Sequence, residues 1–397
     1  MCEYAFNELC QARPEWPGEE YAFLRERGMM AFHQALPGYG PTPLRSLPAL
    51  ASRLGLAEVF VKDESQRFGI KAFKALGASY AVYRVLKQRW QDRFAEPFTP
   101  ASFQDRKILD RLGSFTFCAA TDGNHGRAVA WTAKMLGQRA VIYMPADSVP
   151  ARVESIRGEG AEVVLVEGTF DLCVERCAAA AAKNGWQAIS DTAYPGYRDV
   201  PGWILLGYTS IFAELEGLLH GPMKTGVDTV ILPAGVGGLA AAGAFFYSKR
   251  YGAKRPYLIC VEPVSSDCFL ESVRFGRGNP LPTRGGQTSI MAGLNCGLPS
   301  PLAWPIVRDA FPFFLAVGDR FAEAAMRRYY HPLKDDPQVI SGESGSSGLA
   351  ALLALTSADP LVAIRSKLPL GPASRVLLIN TEGDTDPDNF GRVVGSE

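Results

Sequence analysis

Three polar segments of this 397-residue chain hold the residue types able to do chemistry, and each lies where an apolar run gives way to a helical pattern. The first is Lys62-Asp63-Glu64-Ser65-Gln66-Arg67-Phe68-Gly69-Ile70-Lys71-Ala72-Phe73-Lys74, which leaves a short strand pattern and ends at a helix start. A lysine at a helix N-terminus meets the positive end of the helix dipole and loses part of its hydration. Both effects disfavour the ammonium and favour the neutral amine that adds to a carbonyl as a Schiff base. An isolated lysine is more simply a solvated surface cation, so Lys74, and Lys71 three residues before it, gain meaning only from their company.

The second segment is Thr121-Asp122-Gly123-Asn124-His125-Gly126, directly after the apolar run ending at Ala120. Such a turn aims polar side chains and helix N-terminal amides at one point beyond the strand end, where ligands bind in open α/β sheets. The same residue types also make ordinary N-caps and turns. The third segment is Pro233-Ala234-Gly235-Val236-Gly237-Gly238, whose exposed amides before a helix make a phosphate cradle or simply a tightly packed turn. A dinucleotide-type GxGxxG is incomplete here, because its third glycine position is Ala240. Asp191, in Ser190-Asp191-Thr192-Ala193-Tyr194, reads either as a further carboxylate at the same mouth or as an N-cap. His33, His220 and His331 belong to no motif.

Strands and helices must carry these segments to one place. Glu58–Lys62 reads as a strand, followed by a helix from Lys74 to about Trp90. Strands are expected at Phe115–Ala119, Ala140–Met144, Val163–Val166 and Trp186–Ile189, with helices beginning near Asn124, Pro150 and Phe170. This alternation predicts βαβ units and a parallel sheet. A second α/β set has strands at Thr229–Leu232, Leu258–Val261, Phe313–Val317 and Val376–Ile379, with helices near Leu239, Phe321 and Leu349. A helix over Gly202–Leu219 is expected to connect the halves, and residues up to about Pro48 to wrap the surface. The expected division is 1–75 plus 222–397 as a large domain and 76–221 as a smaller one, two open, mostly parallel α/β domains with the ligand in the crevice between them.

Composition limits the function classes. Lys plus Arg equals Asp plus Glu at 41 each, so no net field draws in a polyanion or an anionic membrane, and neither nucleic acid nor membrane is an expected partner. Apolar residues at 47% and charged residues at 21% suit a globular chain with a substantial core. The most membrane-like charge-free run, Thr229–Ser248, is interrupted by Pro233 and several glycines and reads as strand, loop and helix. The start, Met1-Cys2-Glu3-Tyr4, has no basic-then-apolar leader, so the cytosol is the expected compartment. Eight cysteines contain no CxxC pair and no histidine stands at metal-ligand spacing, so no metal is expected. Cys268 and Cys296 flank a loop-rich stretch and could clamp it as a disulfide, while a cytosolic setting favours free thiols. Cys173 and Cys177, four apart on a helix, read as core.

The three motifs in this order resemble the fold-type II pyridoxal-phosphate enzymes, the tryptophan synthase β-subunit group that includes threonine dehydratases and cysteine synthases. The resemblance spans roughly residues 40–390. Within the group it is closest to the diaminopropionate ammonia-lyases, through Lys62-Asp63-Glu64-Ser65, Arg67-Phe68-Gly69, Ala72-Phe73-Lys74, Thr121 to Arg127, Asp191-Thr192-Ala193 and Thr381-Glu382-Gly383-Asp384-Thr385-Asp386-Pro387. The resemblance implies pyridoxal 5'-phosphate bonded to Lys74, its phosphate on Gly235, Val236, Gly237 and Gly238, and Asn124 facing its phenolic oxygen. It also implies Thr381, or the adjacent Asn380, at the pyridine nitrogen. A neutral hydroxyl there would leave the nitrogen unprotonated and favour β-elimination over transamination.

Dehydratases of this fold usually carry a small neutral residue where this chain has Asp122. A carboxylate there favours a substrate with a cationic β-amino group and can also take the α-proton. The resemblance makes Asp191 a substrate contact and a possible second base, and Thr121 and His125 substrate contacts, His125 otherwise shaping the turn. The implied reaction converts 2,3-diaminopropionate, L and possibly D, to pyruvate and two ammonia, in a homodimer. The alternatives are a serine or threonine dehydratase with the same lysine, and a nicotinamide-dependent oxidoreductase built on the 235–238 loop.

Overall fold

The computed structural model describes residues 2–219 and 226–395, so His220 and the expected boundary at 221/222 lie outside the described residues. Among the described residues, eleven strands form two sheets. They are β1 (Cys2–Phe6), β2 (Leu44–Ser46), β3 (Glu58–Asp63), β4 (Thr116–Ala120), β5 (Arg139–Pro145), β6 (Glu162–Val166), β7 (Gln187–Ala188), β8 (Thr229–Pro233), β9 (Tyr257–Pro263), β10 (Phe313–Val317) and β11 (Arg375–Asn380). The chain divides into two compact units. The first holds residues up to Trp16, Pro41–Ala72 and Ile211 onward; the second holds Pro17–Gly40 and Phe73–Ser210. Against the expected division, the first cut lies between Ala72 and Phe73, and Pro17–Gly40 joins the smaller unit.

In the first unit the seven-stranded sheet has the order β1-β10-β9-β8-β11-β3-β2. The five central strands run parallel, and β1 and β2 cap the edges antiparallel. Every residue of β8 and β10 is buried, which is why both read in the sequence as unbroken apolar runs. Burying each such Val, Leu, Ile or Phe contributes about 1.5–3 kcal/mol. The opening segment does more than wrap the surface. β1 pairs with β10 from Cys2↔Val317 to Phe6↔Phe313.

The second unit contains an all-parallel sheet of order β6-β5-β4-β7. Helices Asn124–Met135, Pro150–Arg157 and Phe170–Asn184 supply its crossovers. Cys173 and Cys177 pack in its core with Cys118, Val141 and Val166. Phe32 and His33 are fully buried in this unit, and His33 bonds Ser210 Oγ at 2.7 Å and the Leu76 carbonyl at 2.9 Å. His33 is thus a satisfied core histidine. β4 and β7 are neighbours, so the loops leaving their carboxyl ends, the Thr121 and Asp191 loops, emerge side by side. Helix Lys74–Gln91 begins at Lys74.

Candidate active site

The turn after β4 is built by Thr121, whose Oγ1 accepts the amides of Gly123 at 2.9 Å and Gly126 at 3.0 Å. Gly123 has φ +152°, ψ −82°, a backbone that side chains rarely adopt, and a Cβ there would sit 3.1 Å from Arg152 Cδ. The turn delivers Asp122, Asn124 and His125 to the carboxyl end of the sheet. His125 Nε2 lies 2.6 Å from the Ile189 carbonyl, which can only accept, so Nε2 carries the proton. The ring therefore ties the β4 turn to the chain leaving β7. Its Nδ1 is buried without a hydrogen-bond partner, 3.9 Å from Asp191 Oδ2.

Lys74 Nζ and Asp191 Oδ2 form an ion pair at 2.6 Å, with side-chain exposures of only 18% and 11%. Burial alone would raise the Asp191 carboxyl, but the Lys74 ammonium and His125 outweigh it and hold the group at about 2. Asp122 behaves oppositely. It keeps a little surface yet sits deep among protein atoms, and loss of solvent pushes its carboxyl up to about 7, with Arg152 pulling it down and Asp191 pushing it up. Burial lowers His125, against the pull of Asp191. Two carboxylates in one cluster are thus pushed in opposite directions, one held as an anion and one raised toward neutrality.

Lys71 has its own partner within the other unit. It belongs to the first unit, has φ +59°, and pairs with Asp384 at 2.8 Å near the surface. Sequence reasoning missed Arg152, buried on helix Pro150–Arg157 against Gly123, and Tyr208, buried on helix Asp199–Leu219. Neither belongs to a motif, and an aromatic in an apolar helix reads as core.

The remaining expected residues lie in the first unit. Gly237 has φ +96°, and a Cβ there would meet Phe269 Cζ at 2.4 Å. A Cβ on Gly235 would lie 3.0 Å from the Gly293 carbonyl and Cys296 Sγ. Among the described residues none accepts from the amides of Gly235, Val236, Gly237 or Gly238, which precede or open the 14-residue helix Gly238–Tyr251. Free amides at a helix start, in a loop with no room for a Cβ at Gly235 or Gly237, form a cradle that fits a phosphate. Thr381 follows β11, is 5% exposed, and its hydroxyl makes no hydrogen bond to another described residue. The Asn380 amide instead donates to Asp63 Oδ1 and the Ile340 carbonyl, each at 2.9 Å.

All eight cysteines are free thiols, Cys268 and Cys296 among them, both buried. Among the described residues no cluster of three or more His, Cys, Asp or Glu could hold a metal ion, and no helix is long and apolar enough to cross a membrane.

The comparisons agree with this chemistry. Residues 35–381 match the family model described as pyridoxal-phosphate dependent enzyme. The diaminopropionate ammonia-lyase of Salmonella typhimurium is 38% identical over 370 residues, 92% of this chain and 91% of that protein. Its Escherichia coli counterpart is 39% identical over 364 residues, 91% of this chain and 89% of that protein. The crystal structure of the Escherichia coli enzyme in complex with an aminoacrylate-PLP azomethine reaction intermediate superposes with a TM-score of 0.88 at 36% identity, covering 99% of this chain and 97% of that one. With its lysine, its glycine cradle and its parallel sheets, the chain belongs to the pyridoxal-phosphate dependent enzyme family, in its fold-type II branch.

Proposed function

We propose that this enzyme eliminates ammonia from 2,3-diaminopropionate, the L and also the D form, so that substrate plus one water yields pyruvate and two ammonia. The observation that carries the reading is a second carboxyl, Asp122, enclosed in the same cluster as the Lys74–Asp191 ion pair and raised by burial toward neutrality. An anion near the β-ammonium binds a diamino acid better than a hydroxy amino acid, and a carboxyl titrating near neutrality exchanges protons efficiently. The two relatives described above are both named diaminopropionate ammonia-lyase, which points the same way.

When bound, pyridoxal phosphate supplies the electron sink that makes the α-proton acidic and β-loss possible. In this reading Lys74 bonds the cofactor covalently; its place at a helix start and its enclosure support it over Lys71, which is engaged with Asp384. The free amides of Gly235, Val236, Gly237 and Gly238 would hold the phosphate. Asn124 would hold the phenolic oxygen and Thr381 the pyridine nitrogen, the Thr381 hydroxyl being uncommitted while the Asn380 donors are spent. Asp122 takes the α-proton of one enantiomer and Lys74 that of the other. Asp191, a poor base at about 2, holds the Lys74 ammonium and contacts the substrate with Thr121 and His125. The enzyme is read as a cytosolic homodimer. Eight free thiols suit a reducing compartment, and exposed apolar side chains such as Phe6, Leu9 and Phe275 suit contact with a second copy. Light scattering of the purified protein tests the dimer.

The test of function is 2-oxo acid formation from D- and L-diaminopropionate, L-serine and L-threonine under matched conditions. Diaminopropionate is expected to have the highest kcat/KM. Threonine turned over far faster than diaminopropionate overturns the reading.

A further inference from the structure

The ring of Tyr208 lies against the start of helix Lys74–Gln91. Its centroid is 4.7 Å from that of Phe73 and 5.9 Å from Lys74 Nζ. The approach depends on Gly77, one turn beyond Lys74, because a Cβ there would come within 2.5 Å of Tyr208 Cε1. Tyr208 is 1% exposed, and its buried hydroxyl has no hydrogen-bond partner of good geometry, although Lys74 stands close enough to interact with it. A buried phenol left this way costs stability, whereas phenylalanine would fill the same space without the cost. Packing alone does not explain the oxygen.

Asp191 offers the same amine a carboxylate at 2.6 Å. The two partners favour opposite charge states. A carboxylate stabilises the ammonium, while a neutral hydroxyl among apolar groups accepts or donates one hydrogen bond and leaves the amine uncharged. We propose that Tyr208 is a positioning residue for Lys74, the neutral partner to which Nζ turns when it must act as an uncharged base, with Asp191 the partner of the ammonium. The proposal rests on the reading of Lys74 given under Proposed function. The titratable groups around Nζ are Asp191 from the chain after β7, Asp122 and His125 from the turn after β4, and Tyr208 itself.

The test is Y208F holoenzyme, assayed with both enantiomers of diaminopropionate across pH. Wild-type protein must first show a visible absorption band that borohydride bleaches and that K74A lacks; failure there overturns the Lys74 reading itself. In Y208F the band is expected at wild-type intensity with an unchanged unfolding midpoint. For the enantiomer deprotonated by Lys74, kcat should fall about tenfold with KM changed less than about twofold, as for a weakened general base. The acid limb of that kcat profile should move up by about one pH unit, since Nζ left to Asp191 holds its proton longer. The enantiomer deprotonated by Asp122 should keep its profile. G77A, which displaces the ring and keeps the hydroxyl, is expected to give the same enantiomer-selective shift. An unchanged profile in Y208F, or equal losses with both enantiomers, overturns the proposal. Failure of both variants to fold also overturns it, because a ring that cannot lose one oxygen is there for packing.

Discussion

In the first unit Lys62, Glu64, Arg67 and Glu214 form a closed quartet, whereas in the second unit Lys74, Asp122, His125 and Asp191 form an open one. Lys62 Nζ meets Glu214 at 2.6 Å and the Thr42 carbonyl at 2.7 Å, and Arg67 bridges Glu214 at 2.9 Å and Glu64 at 2.8 Å. Two cations and two carboxylates cancel, and all four side chains are at most 1% exposed. The second cluster pairs one lysine with one carboxylate, leaves a neighbouring carboxyl at about 7, and keeps His125 Nδ1 and the Tyr208 hydroxyl unmatched. The same residue types thus do different work. Complete pairing fixes a loop, while incomplete pairing stores reactivity that a bound molecule can use.

The sharpest way to break this contrast is at the two lysines. Lys74→Ala is expected to abolish the visible cofactor band and lower kcat by at least about 10⁴-fold, as for loss of a covalent and proton-transfer group. Lys71→Ala should keep the band, and absorbance surviving the loss of Lys74 but not of Lys71 would reverse the assignment. In the closed quartet, Glu214→Ala strands two buried cations and should cost about 3–5 kcal/mol in chemical denaturation. The protein that stays folded should retain its kcat. A large kcat loss without destabilisation would make this quartet catalytic after all.

Asp122→Asn should lower kcat/KM for diaminopropionate by about 10²–10³-fold, in the range of a lost general base, and narrow the preference over serine. Its stability signature has a definite sign. The Asp122 carboxyl rises from 3.8 to about 7 on folding, so its contribution is full below pH 3.8 and is lost as pH climbs through about 7. The variant should therefore lose less stability than wild type between those limits, measured by urea unfolding at several pH values. A parallel pH dependence in both proteins contradicts the burial of this carboxyl. The smallest expected effect is at the thiols: with Cys268 and Cys296 free, all eight cysteines should react after denaturation without reductant. Six reactive thiols would reveal a disulfide.

Much of the frame was readable because parallel strands buried on both faces appear as apolar runs, as in Thr229–Pro233 and Phe313–Val317. β1 escaped notice because an edge strand is half-exposed and its partner Phe313–Val317 lies at the far end of the chain. β7 shrank from the expected Trp186–Ile189 to Gln187–Ala188, since this short strand pairs with β4 only through those two residues. Lys74, Asp122 and the glycine loop carried local signals, namely turn chemistry at strand ends. The 2.6 Å Lys74–Asp191 pair joins residues 117 positions apart, and Arg152 and Tyr208 reach the cluster only through tertiary contacts. No local pattern encodes such contacts.

The central claim is that Lys74 is the residue bonded to the cofactor. Borohydride reduction of the purified holoenzyme, followed by proteolysis and mass mapping, tests it most directly. The account predicts one pyridoxyl group per chain, on the peptide containing Lys74 and on that residue. A modified Lys71, or an unmodified Lys74 in protein whose visible band has been bleached, would contradict it.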